Sequence, residues 1–175
     1  MHVGITGSRH NLPGSQIESL YRVLTDLAYR DGNIHDSGIV LHHGCCTGAD
    51  ESAHKLMSII PGVAIIGHPG KDARGNSPYL MDMTSFVGKL YPRKLYADRN
   101  HDIVNACELL IACPAYPEND KRSTRSGTWQ TIRMARNTNC IIAYISPNGS
   151  VTCNQKCDRD CPAYPYCKCP CNHGF

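Results

Sequence analysis

No apolar run in this chain approaches the roughly 20 residues that a membrane-spanning helix needs, so no membrane partner is expected. Charge of one sign is also scarce. Lys and Arg number 18 against 15 Asp and Glu, a formal excess of +3. A duplex-DNA binder carries a dense basic face, and so small an excess does not supply one. A strict Gly-x-Gly-x-x-Gly is missing, so nothing asks for a dinucleotide cofactor. The opening Met1-His2-Val3-Gly4-Ile5-Thr6-Gly7 is apolar for too few residues to be a secretory leader. It reads directly as a strand, and a cytoplasmic location follows as the expectation.

What is present is an ordinary globular balance, 41% hydrophobic and 19% charged over 175 residues. That length argues for one domain plus a short appendage, with a core large enough to fold without disulfides. Residues 1–147 alternate strand-like and helix-like segments. Strands are expected over 2–6, 38–42, 62–66, 109–113 and 140–145. Helices are expected over 15–31, 47–58, 96–107 and 127–137. The first carries Ile17, Leu20, Val23, Leu24 and Leu27 on one stripe, with Ser15 and Glu18 as a capping box. The stretch 70–92 has no clean period and reads as a long loop with one short helix. Such alternation predicts an α/β, Rossmann-like parallel sheet of about five strands with helices on both faces.

In such sheets ligands bind outside the carboxyl ends of the strands. The residues placed there are Gly7, Ser8 and Arg9, then Gly44, Thr47, Gly48 and Asp50, then His68. Arg99 and Asn100 open a helix, and Arg125-Ser126-Gly127-Thr128 open another. Glycines admit a close backbone approach, and helix N-termini offer unpaired N–H groups and a positive dipole end. Ser126, Gly127 and Thr128 are the expected phosphate cradle, with Arg125 as a clamp. His54 lies one helical turn from Asp50, and a structural pair between them is expected. Trp129, the lone tryptophan, is expected to pack in the core ahead of stacking on a base.

Thr6-Gly7-Ser8-Arg9, His43-Gly44-Cys45-Cys46-Thr47-Gly48-Ala49-Asp50 with His54, Arg99-Asn100, and Arg125-Ser126-Gly127-Thr128-Trp129 together resemble the SLOG superfamily. That group includes the lonely-guy cytokinin-activating hydrolases, the DNA-processing protein A domain, and small stand-alone members of bacteria and phages. The resemblance spans about residues 1–147. It implies a Rossmann-like fold and a nucleotide or nucleotide-derived ligand, with self-association common among members. The hydrolases carry Pro-Gly-Gly-x-Gly-Thr-x-x-Glu, whose glutamate acts on the glycosidic bond. Here the matching stretch ends in Trp129-Gln130-Thr131, without a carboxylate. An amide cannot serve as a general base. Asp50 and Glu51 stand as the substitute catalytic candidates.

The remaining segment, 148–175, crowds Cys153, Cys157, Cys161, Cys167, Cys169 and Cys171 together with few apolar residues. Zinc is the expected stabiliser, held by four of these ligands. The spacing contains no standard Cys-x-x-Cys pair, and an iron–sulfur cluster, disulfides or an unstructured tail remain as alternatives. The leading function is a module that binds a small phosphate-bearing nucleotide, as a sensor or a sequestering protein. A nucleoside-monophosphate N-glycosidase and a single-stranded DNA binder are the alternatives.

Overall fold

The structure, a computed structural model, describes residues 1–30 and 37–154. Cys157, Cys161, Cys167, Cys169 and Cys171 lie outside the described residues. In chain order the elements begin β1 (His2–Gly7), α1 (Gly14–Ala28), β2 (Val40–His43), α2 (Ala49–Met57) and β3 (Ala64–Gly67). The short strands β4 (Gly70–Lys71), β5 (Lys89–Leu90) and β6 (Lys94–Leu95) follow, then α3 (Tyr96–Ala106) and β7 (Leu109–Cys113). A 3-10 turn (Lys121–Arg125) leads into α4 (Gly127–Ala135), β8 (Ile141–Ile145) and β9 (Val151–Cys153).

Among the described residues, seven strands form the main sheet, in the order β5-β3-β2-β1-β7-β8-β9. All neighbours are parallel except β8 and β9. The sheet is therefore larger than the five strands expected. Both extra strands sit at its edges. β5 is two residues long, too short to show a period. β9 lies past Pro147-Asn148-Gly149, so the sheet extends beyond residue 147. Its Val151 is buried, and Cys153 packs half-buried against the main core.

The two faces are covered by different helices. α1 and α2 bring Leu20, Val23, Leu24, Leu27, Ala53 and Met57 onto Val3, Ile5 and Leu41. α3 and α4 bring Val104, Trp129, Ile132 and Ala135 onto Leu110 and Ile142. Trp129 is buried, and its indole N–H donates to the Tyr116 carbonyl at 2.9 Å. The capping box at α1 does not form. Pro13 holds the cap position without a side-chain bond, and the Ser15 hydroxyl donates instead to the Pro147 carbonyl at 2.8 Å. Buried Gln16 donates to the carbonyls of Pro114 and Ile145 and so ties α1 to the ends of β7 and β8. The expected short helix between 70 and 92 is absent. That segment bonds along the β2–α2 loop, with Thr47 N–H to Tyr79 carbonyl at 2.8 Å and Met81 N–H to Cys45 carbonyl at 2.9 Å.

Strand order runs outward from β1 through β2 and β3 on one side and through β7 and β8 on the other. The reversal at β1 and β7 opens a crevice at their carboxyl ends, where open α/β sheets place ligands.

Candidate functional site

A cavity of about 430 Å³ fills this crevice. Its floor is Thr6, Gly7 and Ser8, at and just after the end of β1. One wall is the start of α4, where Ser126, Gly127 and Thr128 stand. Ser126 caps that helix: its hydroxyl accepts from Trp129 N–H, and its carbonyl accepts from Gln130 N–H. The N–H groups of Gly127 and Thr128 have no partner within the helix, because the first turn of a helix lacks acceptors. The Thr128 hydroxyl donates to the Gly7 carbonyl at 2.8 Å, which fixes the helix start against β1.

Arg9 reaches across toward the same point. One of its terminal nitrogens lies 3.9 Å from where a Cβ on Gly127 would sit. Its guanidinium is held between the rings of Tyr79 at 4.9 Å and Tyr96 at 4.5 Å, a stacked arrangement that fixes a flat cation. Arg99, Arg125, Asn100, Cys46, Gln130 and Thr131 also line it. Arg122 lies at the mouth, but it is bound bidentately to Asp120 and stacks on Tyr116 at 3.7 Å.

Asp50 is the acid that lines this cavity. It is buried, and one carboxylate oxygen accepts two backbone N–H groups, from Gly44 at 3.0 Å and Cys46 at 3.1 Å. Between those two residues Cys45 holds φ 56°, a left-handed conformation that costs a side-chain-bearing residue energy. The carboxylate therefore clamps the β2–α2 loop. Burial pushes its pKa up, opposed by the nearby Arg99 charge.

The other acid expected here, Glu51, is not in the cavity. It pairs with Lys55 at 2.7 Å on the outer face of α2, one turn along the helix. Gly44, Thr47 and Gly48 do not line the cavity either; they build its back. A Cβ on Gly44 would fall 1.4 Å from an Arg99 nitrogen, so that glycine makes room for Arg99. Thr47 donates to the Arg9 carbonyl at 2.8 Å, and Gly48, at φ 79°, lets the Ser8 carbonyl approach closely. His54 does not pair with Asp50. Its Nδ1 faces His43 Nε2 at 3.1 Å, and its ring stacks on Phe86.

His68 belongs to a second cavity of about 390 Å³, with His42, Tyr91, Lys94 and Asp102. There His2 Nδ1 meets His42 Nε2 at 2.9 Å, and His42 Nδ1 meets His68 Nε2 at 3.0 Å. Desolvation lowers the pKa of His42 and of His68 to about 4, and that of buried His43 to about 3. All three are neutral near pH 7. Among the described residues no group of three or more His, Cys, Asp or Glu side chains is arranged to hold a metal ion. No described helix is long and apolar enough to cross a membrane.

Comparison with known proteins bears on the fold. No protein-family model matches the chain, and no curated protein sequence does. Among solved structures, it is similar to a molybdenum cofactor binding protein from the phototrophic bacterium Rippkaea orientalis. That match has a TM-score of 0.59 and 18% identity, over 83% of this chain and 76% of the other. It is also similar to a structural-genomics target, TM1055, with a TM-score of 0.51 and 14% identity, over 81% and 71% of the two chains. The fold is Rossmann-like.

Tyr79, Tyr96, Tyr116 and Arg122 line the cavity without having been singled out by the sequence. Tyr79 lies in the aperiodic stretch, whose pairing with the β2–α2 loop has no pattern of its own. Tyr96 opens α3, three residues before Arg99, and that i, i+3 spacing was a signal within reach.

Proposed function

We propose that this chain is a SLOG-type module that binds a small phosphate-bearing nucleotide in the crevice at β1 and β7, to sense or sequester it. The observation that carries the reading is the convergence on one cavity of the open α4 N-terminus with Arg9 and Arg125, against one buried acid. Helix N-terminal N–H groups and guanidinium forks are the donors that phosphate oxygens match best. The volume lies within the roughly 300–1,000 Å³ of small-molecule sites. Tyr79, Tyr96 and Tyr116 line the same space and give a base aromatic surface to pack against. A fold shared with a protein described as binding a cofactor supports a small ligand of this kind.

The glycosidase alternative needs a carboxylate at the sugar, and Gln130 and Thr131 stand in the cavity where the hydrolases' motif would bring one. Asp50 is engaged by the backbone. Binding without turnover is therefore the stronger reading. Calorimetry with nucleoside monophosphates, followed by chromatography for released base, tests both halves. Binding abolished by Arg9→Ala, with no free base after long incubation, supports the proposal. Turnover that disappears in Asp50→Asn would replace it with the enzyme. For the tail, zinc held by the cysteines of 153–171 is proposed on sequence grounds, and elemental analysis of the reduced protein tests it.

A further inference from the structure

Arg99 is the feature the nucleotide reading leaves over. It sits in the first turn of α3 and is 6% exposed. One of its terminal nitrogens donates to the Cys46 sulfur at 3.4 Å. Its Nε is buried without a hydrogen-bond partner. The ion pairs among the described residues lie at the surface, and none includes Arg9, Arg99 or Arg125. Asp50 lines the same cavity and feels the Arg99 charge, but no ion pair within 4 Å joins the two, and one carboxylate oxygen is committed to Gly44 and Cys46. A buried guanidinium with a donor left unmatched is completed when an anion arrives to accept from it.

The cradle does not use this charge. A phosphate monoester brings about two negative charges and three acceptor oxygens. The N–H groups of Gly127 and Thr128, with Arg9 and Arg125, already match those. Arg9 and Arg99 flank the same Tyr96 ring, at 4.5 and 5.8 Å from its centre. Arg9 leans toward Gly127, while Arg99 fills the recess that Gly44 leaves. The two cations thus mark two places, one at the helix start and one deeper.

Resting on the nucleotide reading, we propose that the ligand carries a second phosphate received by Arg99, so that nucleoside diphosphates or bisphosphates are bound in preference to monophosphates. The selectivity comes from a buried guanidinium with a donor that the ligand-free protein leaves unmatched.

The test is calorimetry with two probe pairs, inorganic phosphate against pyrophosphate, and AMP against ADP and adenosine 3′,5′-bisphosphate. Pyrophosphate should bind at least about ten-fold tighter than phosphate, as one added charge-assisted contact predicts. ADP or the bisphosphate should exceed AMP by a similar factor. Arg99→Met should bring both ratios to about one, and Arg99→Lys should keep most of the preference. Ligand-free Arg99→Met should melt no lower than the parent, because a buried guanidinium with an unmatched donor gives way to an apolar side chain of similar length. That readout separates a ligand-receiving arginine from a structural one. Equal affinity for phosphate and pyrophosphate, a preference that survives Arg99→Met, or an Arg99→Met protein that melts well below the parent each overturns the proposal. If pyrophosphate is preferred but adenosine adds nothing, the second-anion assignment stands and the nucleotide reading fails. No binding by any probe removes both.

Discussion

Replacing Asp50 by alanine separates a clamp from a catalyst. The side chain is buried, and a single carboxylate oxygen accepts the N–H groups of Gly44 and Cys46 at 3.0 and 3.1 Å. Hydrogen bonds to a charged group contribute about 1.5–3 kcal/mol each, so the two together amount to about 3–6 kcal/mol. Removing the carboxylate also relieves the desolvation that raises its pKa, which brings the net loss to about 2–4 kcal/mol. Cys45, held at φ 56° between the two anchored residues, would then relax toward an ordinary conformation. For a chain of 175 residues that loss corresponds to a fall in Tm of roughly 4–16 °C. Asp50→Asn keeps an acceptor oxygen and should cost about half as much, since a neutral acceptor is about half as strong. Glu51→Gln, on the outer face of α2, should change stability by less than about 0.5 kcal/mol. Thermal melts followed by circular dichroism measure all three. An Asp50→Ala protein that melts with the parent refutes the clamp and returns Asp50 to the list of catalytic candidates.

Three further outcomes follow from the same geometry. Gly127→Val points its side chain into space where only Arg9 lies within 4 Å, so the melting point should hold within about 2 °C while phosphate affinity falls at least ten-fold, as expected when a cradle is blocked. His42, His43 and His68 have pKa values lowered to about 4, 3 and 4, below their unfolded value near 6.5, so the unfolded chain takes up more protons in acid. Stability is present above about pH 6.5 and should be lost as pH falls toward 4, by up to about 1.4 kcal/mol per pH unit for each histidine, partly offset by Asp50, whose raised pKa acts in the opposite sense; urea midpoints at pH 7.5, 6 and 5 measure it. A chain ending at Gly149 loses β9, buried Val151 and the bonds that Asn154 makes to both the N–H and the carbonyl of Ile142, and its urea midpoint should report a loss of about 2 kcal/mol or more against a chain ending at Asn154.

The parallel core was legible because its signals are periodic. Leu109–Cys113 is buried at every residue and reads as a continuous apolar run, which is how a strand covered on both faces must look. α1 was legible through the spacing of Leu20, Val23, Leu24 and Leu27, although its cap was not. A capping box presumes that Ser15 is outside the helix, and Pro13 starts the helix early enough to place Ser15 in its first turn, free to bond Pro147. The edges were not legible. β5 is two residues long, and β9 pairs through three, so neither accumulates a pattern.

The cavity follows the same division. Residues carried by element ends, such as Gly7 and Ser8 after β1 or Ser126 to Thr128 at α4, could be placed once the topology was known. Gly44, Thr47 and Gly48 were placed at the right loop and the wrong side of it, because a turn's facing depends on its dihedral angles and not on its position in the chain. The positive φ of Cys45 and Gly48 turns the loop so that its glycines admit Arg99 and the Ser8 carbonyl from behind. What reaches the cavity from that loop is Cys46 and the carboxylate of Asp50. A loop of this kind supports a ligand site by holding its arginines in place, and its substitution should alter affinity through Arg9 and Arg99. Gly44→Ala is the case that tests this. Its new methyl would occupy the Arg99 guanidinium's position, so Arg99 must swing out of its recess, at a cost of about 1–3 kcal/mol for overpacking. The ligand-free melting point should fall accordingly, and any preference for a second phosphate should fall with it, while binding of inorganic phosphate at α4 persists. If phosphate binding disappears as well, Gly44 faces the ligand directly and the loop's facing described above is wrong.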